Sequence, residues 1–476
     1  MSAAPHGRSS KTAPRKEFAV RADLIRSVLR DRRAPDPARV RDILAKAGEL
    51  HGLGWDDVAA LSAVTDPALL QSLFDAARRV KETIYGRRLV LFAPLYISNL
   101  CHNECLYCAF RSRNRSLRRR SLTLDEVERE TRVLIDQGHK RLLVVAGETA
   151  SDAYLDGVLA AIERIYSVRH GQGEIRRVNV NIAPLTVDQF RRLLAAHIGT
   201  YQLFQETYDR EVYERVHLRG QKADYEGRLG AMDRAMEAGF GDVGIGVLFG
   251  LADWRFELLA VLEHIAHLEK KFGVGPHTIS VPRLEPAVGS AMSANPPTPV
   301  SDADFLKIVA ILRLAVPYTG LIMSTRESPE VRRQTFALGV SQISAGSRTN
   351  PGGYAENADG ADAEQFSLGD HRPLDEVIRD IAGLGYVPSF CTACYRLGRT
   401  GRDFMDLAKP GDIKRHCDPN ALSTFLEYLL DYASPDTLAR GEDAIRRQLD
   451  DMDPAARRRA ETMISKVRSG RRDVFC

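Results

Sequence analysis

The chain has 476 residues, of which 44% are hydrophobic and 27% charged, as in ordinary globular proteins with a large core. Its net charge of +4 is too small to imply a nucleic acid as partner of the whole chain. Its apolar runs are shorter than the roughly 18 residues that a membrane-spanning helix needs. We therefore expect neither a nucleic acid nor a membrane as partner, and either one large barrel or several smaller domains.

The chain begins with a basic segment, residues 1–19, that lacks the apolar stretch of a secretory signal. We expect a disordered tail there, and its Ser and Arg content leaves an organelle transit peptide as the alternative. Residues 20–88 follow with apolar positions at helical spacing, which predicts an N-terminal helical segment.

Short apolar runs alternate with segments of helical pattern across residues 89–355. The predicted strands are 87–96, 140–148, 176–184, 200–208, 242–250, 277–284, 320–327 and 341–347. Eight strands that alternate with helices predict an α/β fold, a parallel (β/α)8 TIM barrel, in which loops at the C-terminal strand ends carry the chemistry. A loop rich in Gly, Asp and Asn then leads into a predicted C-terminal domain, residues 356–476, which is mostly helical.

Six of the seven cysteines form two triplets, one straight after the first predicted strand and one in the C-terminal domain. They are Cys101, Cys105 and Cys108, and Cys391, Cys394 and Cys417. The seventh, Cys476, is interpreted as a free thiol. A secreted disulfide framework would spread an even number of cysteines over a small domain. The pattern therefore predicts two metal sites in a protein of the reducing cytoplasm.

The first triplet has the spacing CxxxCxxC in the sequence CHNECLYC. Three thiolates cannot supply all the irons of a [4Fe-4S] cluster, so one iron is left open. An open iron can chelate the amino and carboxylate groups of S-adenosyl-L-methionine (SAM), and an electron passed to the sulfonium then releases a 5′-deoxyadenosyl radical. A zinc site with His102 as the fourth ligand is the alternative, although no second CxxC-like half follows at short range.

Placed after the first strand of a barrel, this loop resembles that of the radical SAM superfamily. The resemblance implies that Tyr107 packs against the adenine of SAM. It also implies that Glu148, in the sequence AGE where the superfamily has Gly-Gly-Glu, accepts a hydrogen bond from the SAM ammonium. Glu206, in the strand end QETY, matches the polar segment that holds the ribose or methionine part. The alternatives are that Tyr107 only fills the loop and that Glu148 caps the next helix.

Two asparagines, Asn179 and Asn181, share one face of the third predicted strand inside an apolar run. Buried asparagines need partners, so contact with a ligand and internal hydrogen bonding both stay open. We assign Asn181 to the SAM site.

The second triplet has the spacing CxxC-x22-C. Taken alone, it fits a zinc site completed by His416. Combined with the first triplet in a barrel, it resembles the family of tyrosine lyases that mature [FeFe]-hydrogenase, as do the segments GPHTISVPRLEPA, MSTRESPEVRR and SAGSRTNPGGY. The resemblance covers nearly the whole chain.

That resemblance implies a lyase that cleaves L-tyrosine into p-cresol and dehydroglycine and converts dehydroglycine into carbon monoxide and cyanide. The second triplet would hold an auxiliary iron–sulfur cluster with a labile extra iron. This iron would collect the two ligands, with L-cysteine, for the iron–carbonyl–cyanide unit of the hydrogenase. Expected protein partners are an electron donor such as ferredoxin or flavodoxin and the other hydrogenase maturation proteins.

Two further side chains are assigned through their places in the barrel. His277 begins the sixth predicted strand, at the mouth opposite the SAM cluster and about 20 Å from it. The family pattern makes His277 a ligand of the labile iron. Arg326 ends the seventh predicted strand on the face of Ser324, where a guanidinium can clamp the carboxylate of tyrosine. An ion pair with a neighbouring Glu is the alternative role for Arg326.

Three other functions stay open. A tyrosine lyase of thiamin biosynthesis lacks the C-terminal triplet, and a sulfur-inserting radical SAM enzyme would keep its second cluster close to the SAM mouth. A zinc-bearing RNA-binding protein would use the run RSRNRSLRRR (111–120), which has six arginines and no acid. The alternative is that this run is a solvated loop without a binding role.

Overall fold

Eight parallel strands close into a barrel at the centre of the molecule, which the computed structural model describes for residues 18–30, 34–149, 151–356 and 363–476. In chain order the strands are β1 (Arg88–Ser98), β2 (Arg141–Ala146), β3 (Arg169–His170), β4 (Gly173–Glu174), β5 (Arg177–Asn181), β6 (Tyr201–Glu206), β7 (Val243–Val247), β8 (Thr278–Ser280), β9 (Gly320–Met323), β10 (Val340–Ser344) and β11 (Val387–Ser389). The predicted barrel is confirmed, and each of its eight strands overlaps a predicted one.

Strand order shows how the barrel closes. The neighbours run β1, β2, β5, β6, β7, β8, β9 and β10, all parallel, and β10 pairs back with β1 at Val90↔Gln342. Apolar residues of the strands are buried because helices cover the outside of the sheet. Strands β3 and β4 form a short antiparallel hairpin apart from the barrel, which the sequence analysis did not predict.

Helices surround the barrel and extend it at both ends of the chain. They are α1 (Ala22–Val28), α2 (Pro37–Ala47), α3 (Trp55–Ser62), α4 (Pro67–Tyr85), α5 (Leu124–Asp136), α6 (Asp152–Ser167), α7 (Val187–Ala195), α8 (Arg210–Val216), α9 (Tyr225–Leu229), α10 (Ala231–Glu237), α11 (Trp254–Phe272), α12 (Ala291–Ala294), α13 (Asp302–Ala315), α14 (Pro329–Leu338), α15 (Leu374–Gly383), α16 (Ala393–Arg396), α17 (Gly401–Ala408), α18 (Lys414–Asp431), α19 (Pro435–Asp450) and α20 (Pro454–Arg468), with a 3-10 turn at Gln221–Ala223. In the part of the chain that the structure describes, no helix combines the length and apolar character needed to cross a membrane. Most of the predicted tail, residues 1–17, lies outside the described residues.

Strand β1 is 11 residues long and pairs with different strands along its length. Its second half pairs with β2 from Ala93 onward, whereas its first residues pair with β11, at Arg88↔Val387. The sequence analysis did not predict β11, which has three residues and no periodicity to read. Strand β11 belongs to the predicted C-terminal domain but joins the sheet of the barrel. The boundary between barrel and C-terminal domain at residue 356 stays a prediction.

The C-terminal helices pack against β11 and hold the segment that follows it. The ring of Phe390 stacks on Tyr428 of α18 with 5.1 Å between centroids, and its backbone N–H donates to Thr424 Oγ1 at 3.2 Å. These contacts fix the residues immediately before Cys391 at the N-terminal mouth of the barrel.

A fully buried arginine joins α13 to the two strands that follow it. The Arg313 guanidinium donates to the carbonyl oxygens of Pro317 (2.7 Å), Thr319 (2.9 Å) and Gly339 (2.7 Å). Burial lowers the pKa of Arg313 to about 10, so the side chain stays charged at neutral pH. Charge-assisted hydrogen bonds of this kind are among the stronger ones in proteins.

We expect Arg313→Met to lower the free energy of unfolding by about 3 kcal/mol, because three buried carbonyl groups lose their donor. Chemical denaturation followed by far-UV circular dichroism measures the change. The control is Arg446→Met, whose side chain is 71% exposed and should change stability by less than about 0.5 kcal/mol. Equal stability of the two variants would contradict the assigned role of Arg313.

Candidate functional site

The first cysteine triplet lies in the loop that follows β1, and this loop is held by its neighbours. Cys105 forms a backbone bridge with His217, and the N–H of Leu218 donates to the carbonyl of Glu104 at 2.9 Å. The buried Glu104 carboxylate accepts from Arg111 at 2.7 Å and from Ser112 at 2.9 Å. Burial acts to raise the pKa of Glu104, but these donors outweigh it and lower that pKa.

The three thiols open into a cavity at the C-terminal mouth of the barrel, here called the upper cavity. It encloses about 1320 Å³, counted to its open mouth. All the side chains predicted for the SAM and tyrosine sites line it: Tyr107, Glu148, Asn181, Glu206 and Arg326. Burial raises the pKa of Cys101 to about 11, so deprotonation of this thiol requires a strong stabilising partner such as a metal.

Two acids and two bases form a buried cluster in the upper cavity. Glu148 accepts from Arg228 Nη1 at 3.0 Å, and Lys222 Nζ donates to Glu206 Oε1 at 2.5 Å. Burial acts to raise the pKa of Glu148, but the charges of Arg228 and Lys222 outweigh it and lower that pKa below its ordinary value. Glu148 is therefore held in the ionised form that a cationic ligand needs. Sequence reasoning missed Lys222 and Arg228, which belong to short turns without a recognisable motif.

The alternative role considered for Glu148, a cap of the next helix, is taken by another residue. Ser151, not Glu148, caps α6 by accepting from Tyr154 N–H. A Cβ atom at Gly147 would lie 2.3 Å from the carbonyl oxygen of Leu100, so glycine is needed there for the protein's own backbone to pass the cysteine loop. Glycine thus brings the end of β2 against the loop, which is how Glu148 reaches the cavity.

The polar side chains of β5 and β6 have different partners. Asn179 accepts from the N–H of Thr200 at 3.1 Å, which is the internal hydrogen bond considered for it, whereas Asn181 lines the cavity. Glu206 has φ +72° and follows a register shift in β6. A left-handed conformation costs an ordinary residue about 1 kcal/mol, and such strain is common at functional positions.

Tyr107, in the cysteine loop between Cys105 and Cys108, has a buried side chain with a polar partner. Its hydroxyl is 2.8 Å from His217 Nε2, and Lys222 Nζ lies 5.8 Å from the ring centroid. The phenol is therefore fixed in place while part of the ring faces the cavity.

Arg326 lies across the cavity from the thiols with its guanidinium over the ring of Phe366, 3.3 Å from the centroid. Its side chain donates a long hydrogen bond to the carbonyl of Arg283 (3.5 Å), and the neighbouring acid, Glu327, pairs with Arg283 instead. The ion pair with an adjacent Glu that was considered for Arg326 is therefore formed by another arginine. Among the residues that the structure describes, this is the hydrogen bond that the guanidinium forms, so most of its five donors are available to a ligand.

Glu285 is a further acid of the upper cavity that sequence reasoning did not single out. Burial raises its pKa to about 7, so this carboxyl exchanges its proton near neutral pH. The segment RLEP that carries it follows a predicted strand, which is the only local signal of its place.

The second cysteine triplet opens into another cavity, here called the lower cavity, at the N-terminal mouth of the barrel. It is lined by Cys391, Cys394, Cys417 and His277, together with Tyr395. Cys391 follows β11, Cys394 lies in α16 and Cys417 lies in the first turn of α18. His277, which directly precedes β8, thus lies in the same cavity as cysteines that come from the C-terminal part of the chain.

His277 presents a neutral imidazole to the lower cavity. Burial lowers its pKa, and Asp242, with Oδ1 3.6 Å from Nδ1, opposes this only in part. The Nδ1 atom is buried without a hydrogen-bond partner among the described residues. A neutral imidazole with a free nitrogen is the form that binds a metal.

Three arginines, Arg88, Arg141 and Arg399, also line the lower cavity. The Nε atom of each is buried without a partner among the described residues. Buried donors are normally satisfied, so the donor set fits a cavity that receives an anionic group. An iron–sulfur cluster with three thiolate ligands is such a group.

Other cysteine and histidine candidates lie away from the two cavities. His102 is exposed, and neither His102 nor His416 lines the cavity beside its cysteine triplet. Cys476 Sγ lies 4.0 Å from the carbonyl of His416, and every cysteine is free. Among residues 18–30, 34–149, 151–356 and 363–476, no three His, Cys, Asp or Glu side chains converge on one ion-sized point.

Known proteins are similar to this chain in sequence and in fold. Residues 95–262 match the family described as the radical SAM superfamily, and residues 280–387 match the Biotin and Thiamin Synthesis associated domain. The chain is 31% identical to 2-iminoacetate synthase of Escherichia coli K12, over 73% of this chain and 89% of that protein.

Two solved structures of the [FeFe]-hydrogenase maturase HydG are similar over almost the whole chain. One has 47% identity and a TM-score of 0.92, and covers 96% of this chain and 99% of its own. The other, from Carboxydothermus hydrogenoformans, has 43% identity and a TM-score of 0.80, with 93% and 96% covered. With a radical SAM barrel and a cysteine triplet at each mouth, the chain belongs to the HydG family of radical SAM maturases of [FeFe]-hydrogenase.

Proposed function

We propose that the protein cleaves L-tyrosine into p-cresol and dehydroglycine at the upper cavity and converts dehydroglycine into carbon monoxide and cyanide at the lower cavity. The observation that carries this proposal is the presence of two cysteine-lined cavities at opposite mouths of one barrel. The E. coli relative supports the first step, because 2-iminoacetate, the product in its name, is dehydroglycine. The free thiols suit assembly of both clusters in the reducing cytoplasm.

In the upper cavity, Cys101, Cys105 and Cys108 would hold a [4Fe-4S] cluster that leaves one iron for SAM. When bound and reduced, this group would supply the electron that cleaves SAM to the 5′-deoxyadenosyl radical. Glu148 would accept the ammonium of SAM, and Tyr107 would support its adenine. Asn181 and Glu206 would hold its ribose or methionine part by hydrogen bonds.

Arg326 would bind the carboxylate of tyrosine in the same cavity. The guanidinium is held over the ring of Phe366 before a ligand binds. Its paired donors can therefore bind a carboxylate with little further loss of side-chain entropy. A fixed carboxylate holds the amino acid still while the radical reacts, which is the positioning that catalysis needs.

The closeness of the two cavities inside the barrel supports passage between them. On β10, Gln342 lines the lower cavity and Ser344, two residues on, lines the upper one; on β9, Gly320 and Ile322 are divided in the same way. Two residues of a strand span only about 7 Å. A short stretch of the barrel interior therefore separates the two cavities.

In the lower cavity, Cys391, Cys394 and Cys417 would hold the auxiliary cluster, with His277 as a ligand of the extra iron that is built into the product together with L-cysteine. The second triplet disfavours the thiamin-type lyase, which lacks it. Its place at the far mouth disfavours sulfur insertion, which needs the second cluster close to SAM. The finished iron–carbonyl–cyanide unit would pass to the other maturation proteins.

Arg228→Met should weaken SAM binding at least about tenfold at pH 7, equivalent to 1.4 kcal/mol. Without Arg228 the pKa of Glu148 rises, because only Lys222 and Asn103 then oppose its burial, and the carboxylate that receives the ammonium binds a proton more readily. Raising the pH through the new pKa should therefore restore part of the affinity. Equilibrium dialysis of SAM against iron-loaded protein measures this.

Arg228→Lys is the matched control for that experiment, since it keeps the charge beside Glu148 and should bind SAM more tightly than the Met variant. An unchanged dissociation constant in Arg228→Met would remove Glu148 from the SAM site.

Arg326→Lys should raise the KM for tyrosine about tenfold, because lysine keeps the charge but loses the planar pair of donors. SAM affinity is the internal control and should stay within about twofold, because lysine keeps the positive charge that Glu206 senses. Steady-state p-cresol formation gives the KM. Unaltered tyrosine kinetics would show that another group binds the carboxylate.

Replacing Cys391 and Cys394 together by alanine should leave p-cresol formation and abolish infrared bands of iron-bound carbonyl and cyanide. The upper cavity stays intact in this variant, whereas the auxiliary cluster loses two ligands. His277→Ala should lower the same bands less, since one ligand is lost. Iron analysis, p-cresol yield and infrared spectra are recorded on the same samples.

Cys476→Ala is the matched control for the double variant, because this thiol lines neither cavity, and it should behave as wild type. Wild-type bands from the double variant would refute assembly at the lower cavity. Loss of p-cresol would mean that the two halves of the reaction are inseparable.

A further inference from the structure

The arginine run at 111–120 divides into a bound half and an exposed half. Arg111 pairs with Glu104 at 2.7 Å, Arg119 donates to backbone carbonyls including that of Asn99 at 2.8 Å, and Arg120 pairs with Glu126 at 2.5 Å. These three side chains fix the loop. The run is therefore only in part the solvated loop that the sequence suggested.

The exposed half forms a cationic surface beside the cysteine loop. Arg113 and Arg115 are exposed, and so is Arg219, whose carbonyl accepts from the N–H of Glu104 at 2.9 Å. None of the three forms an ion pair with another described residue, and Glu104, the acid of the cysteine loop, is buried and bound to Arg111. Their charges therefore face solvent without compensation.

Exposed leucines lie beside the same loop. Leu100 is 45% exposed and precedes Cys101 directly, and Leu218, 55% exposed, is hydrogen-bonded to the loop through its backbone. Leu124, 40% exposed, lines a shallow groove together with Leu100. Single exposed leucines are common, but apolar side chains grouped at one place mark an interaction surface. Leu100 and Leu124 share the groove, and Leu218 is tied to the same loop.

We propose that this surface, formed by Leu100, Leu124, Leu218, Arg113, Arg115 and Arg219, docks an acidic electron-transfer protein that reduces the cluster of the upper cavity. The inference rests on the proposed function, because only a cluster held by the adjacent cysteines needs an external electron. Unpaired cations steer an acidic partner, and exposed leucines give the contact a dry centre. Transient redox complexes bury less surface than other specific complexes, so a docking surface of a few side chains suffices.

The same arginines fit RNA less well. Proteins that bind single-stranded nucleic acid interleave their cations with exposed aromatic rings on which bases stack. The aromatic residues of this region, Tyr107 and Phe110, are buried. The cationic surface therefore lacks a platform for bases.

The test compares a protein donor with a small reductant. The iron-loaded triple variant Arg113→Gln, Arg115→Gln, Arg219→Gln is mixed in a stopped-flow instrument with photoreduced bacterial flavodoxin or with dithionite, and bleaching of the cluster absorbance is followed. We expect the second-order rate with flavodoxin to fall about tenfold at low ionic strength and to depend less on salt, while the dithionite rate stays unchanged. Leu218→Asn should lower the flavodoxin rate about threefold without changing its salt dependence.

Two controls separate docking from other effects. The matched variant Arg41→Gln, Arg79→Gln, Arg458→Gln removes three exposed arginines elsewhere, and substitution of Arg113, Arg115 and Arg219 by lysine keeps the charge; both should react with flavodoxin as wild type does. Unchanged flavodoxin rates in the glutamine variant, or an equal fall with dithionite, would overturn the proposal. So would loss of binding to a single-stranded RNA with normal flavodoxin reduction. Dithionite-driven p-cresol formation tests the proposed function separately.

Discussion

The pairing of β11 with the first residues of β1 is the contact on which the arrangement of both cysteine triplets depends. Strand β1 leads directly into the first triplet at its C-terminal end and receives, at Arg88↔Val387, the strand that leads into the second. Backbone hydrogen bonds in a buried sheet allow little freedom of register. One strand therefore sets the places of both triplets, and the rest of the barrel encloses the space between them.

The two cavities differ in how they balance buried charge. The upper cavity pairs its acids with its bases, as Glu148 with Arg228 and Glu206 with Lys222, so its charge is largely compensated before any ligand arrives. The lower cavity has three arginines whose Nε atoms are buried without a partner among the described residues. Paired acids suit a cationic cofactor that enters and leaves, whereas free arginine donors suit an anionic group that stays bound.

The outer surface of the cysteine loop also has both paired and unpaired charges. Arg111, Arg119 and Arg120 hold the loop in shape, whereas Arg113 and Arg115 are exposed and form no ion pair with another described residue. A loop that must position three thiols rigidly and also admit a partner needs both kinds of side chain. Rigidity comes from buried pairs such as Arg111 with Glu104, and recognition comes from side chains that have no internal partner.

Sequence by itself determined the barrel and the chemistry of the first triplet, because strand and helix periodicity and the spacing CxxxCxxC are local properties of the chain. It also placed His277 and Arg326 at opposite mouths, since His277 begins a predicted strand, Arg326 ends one, and all strands of the barrel run parallel. Only the tertiary structure decided that Lys222 and Arg228 compensate Glu148 and Glu206, that β11 joins β1, and that Glu327 pairs with Arg283 rather than Arg326. Pairing between charges or short strands far apart in the chain depends on how the elements pack, and no local pattern records it.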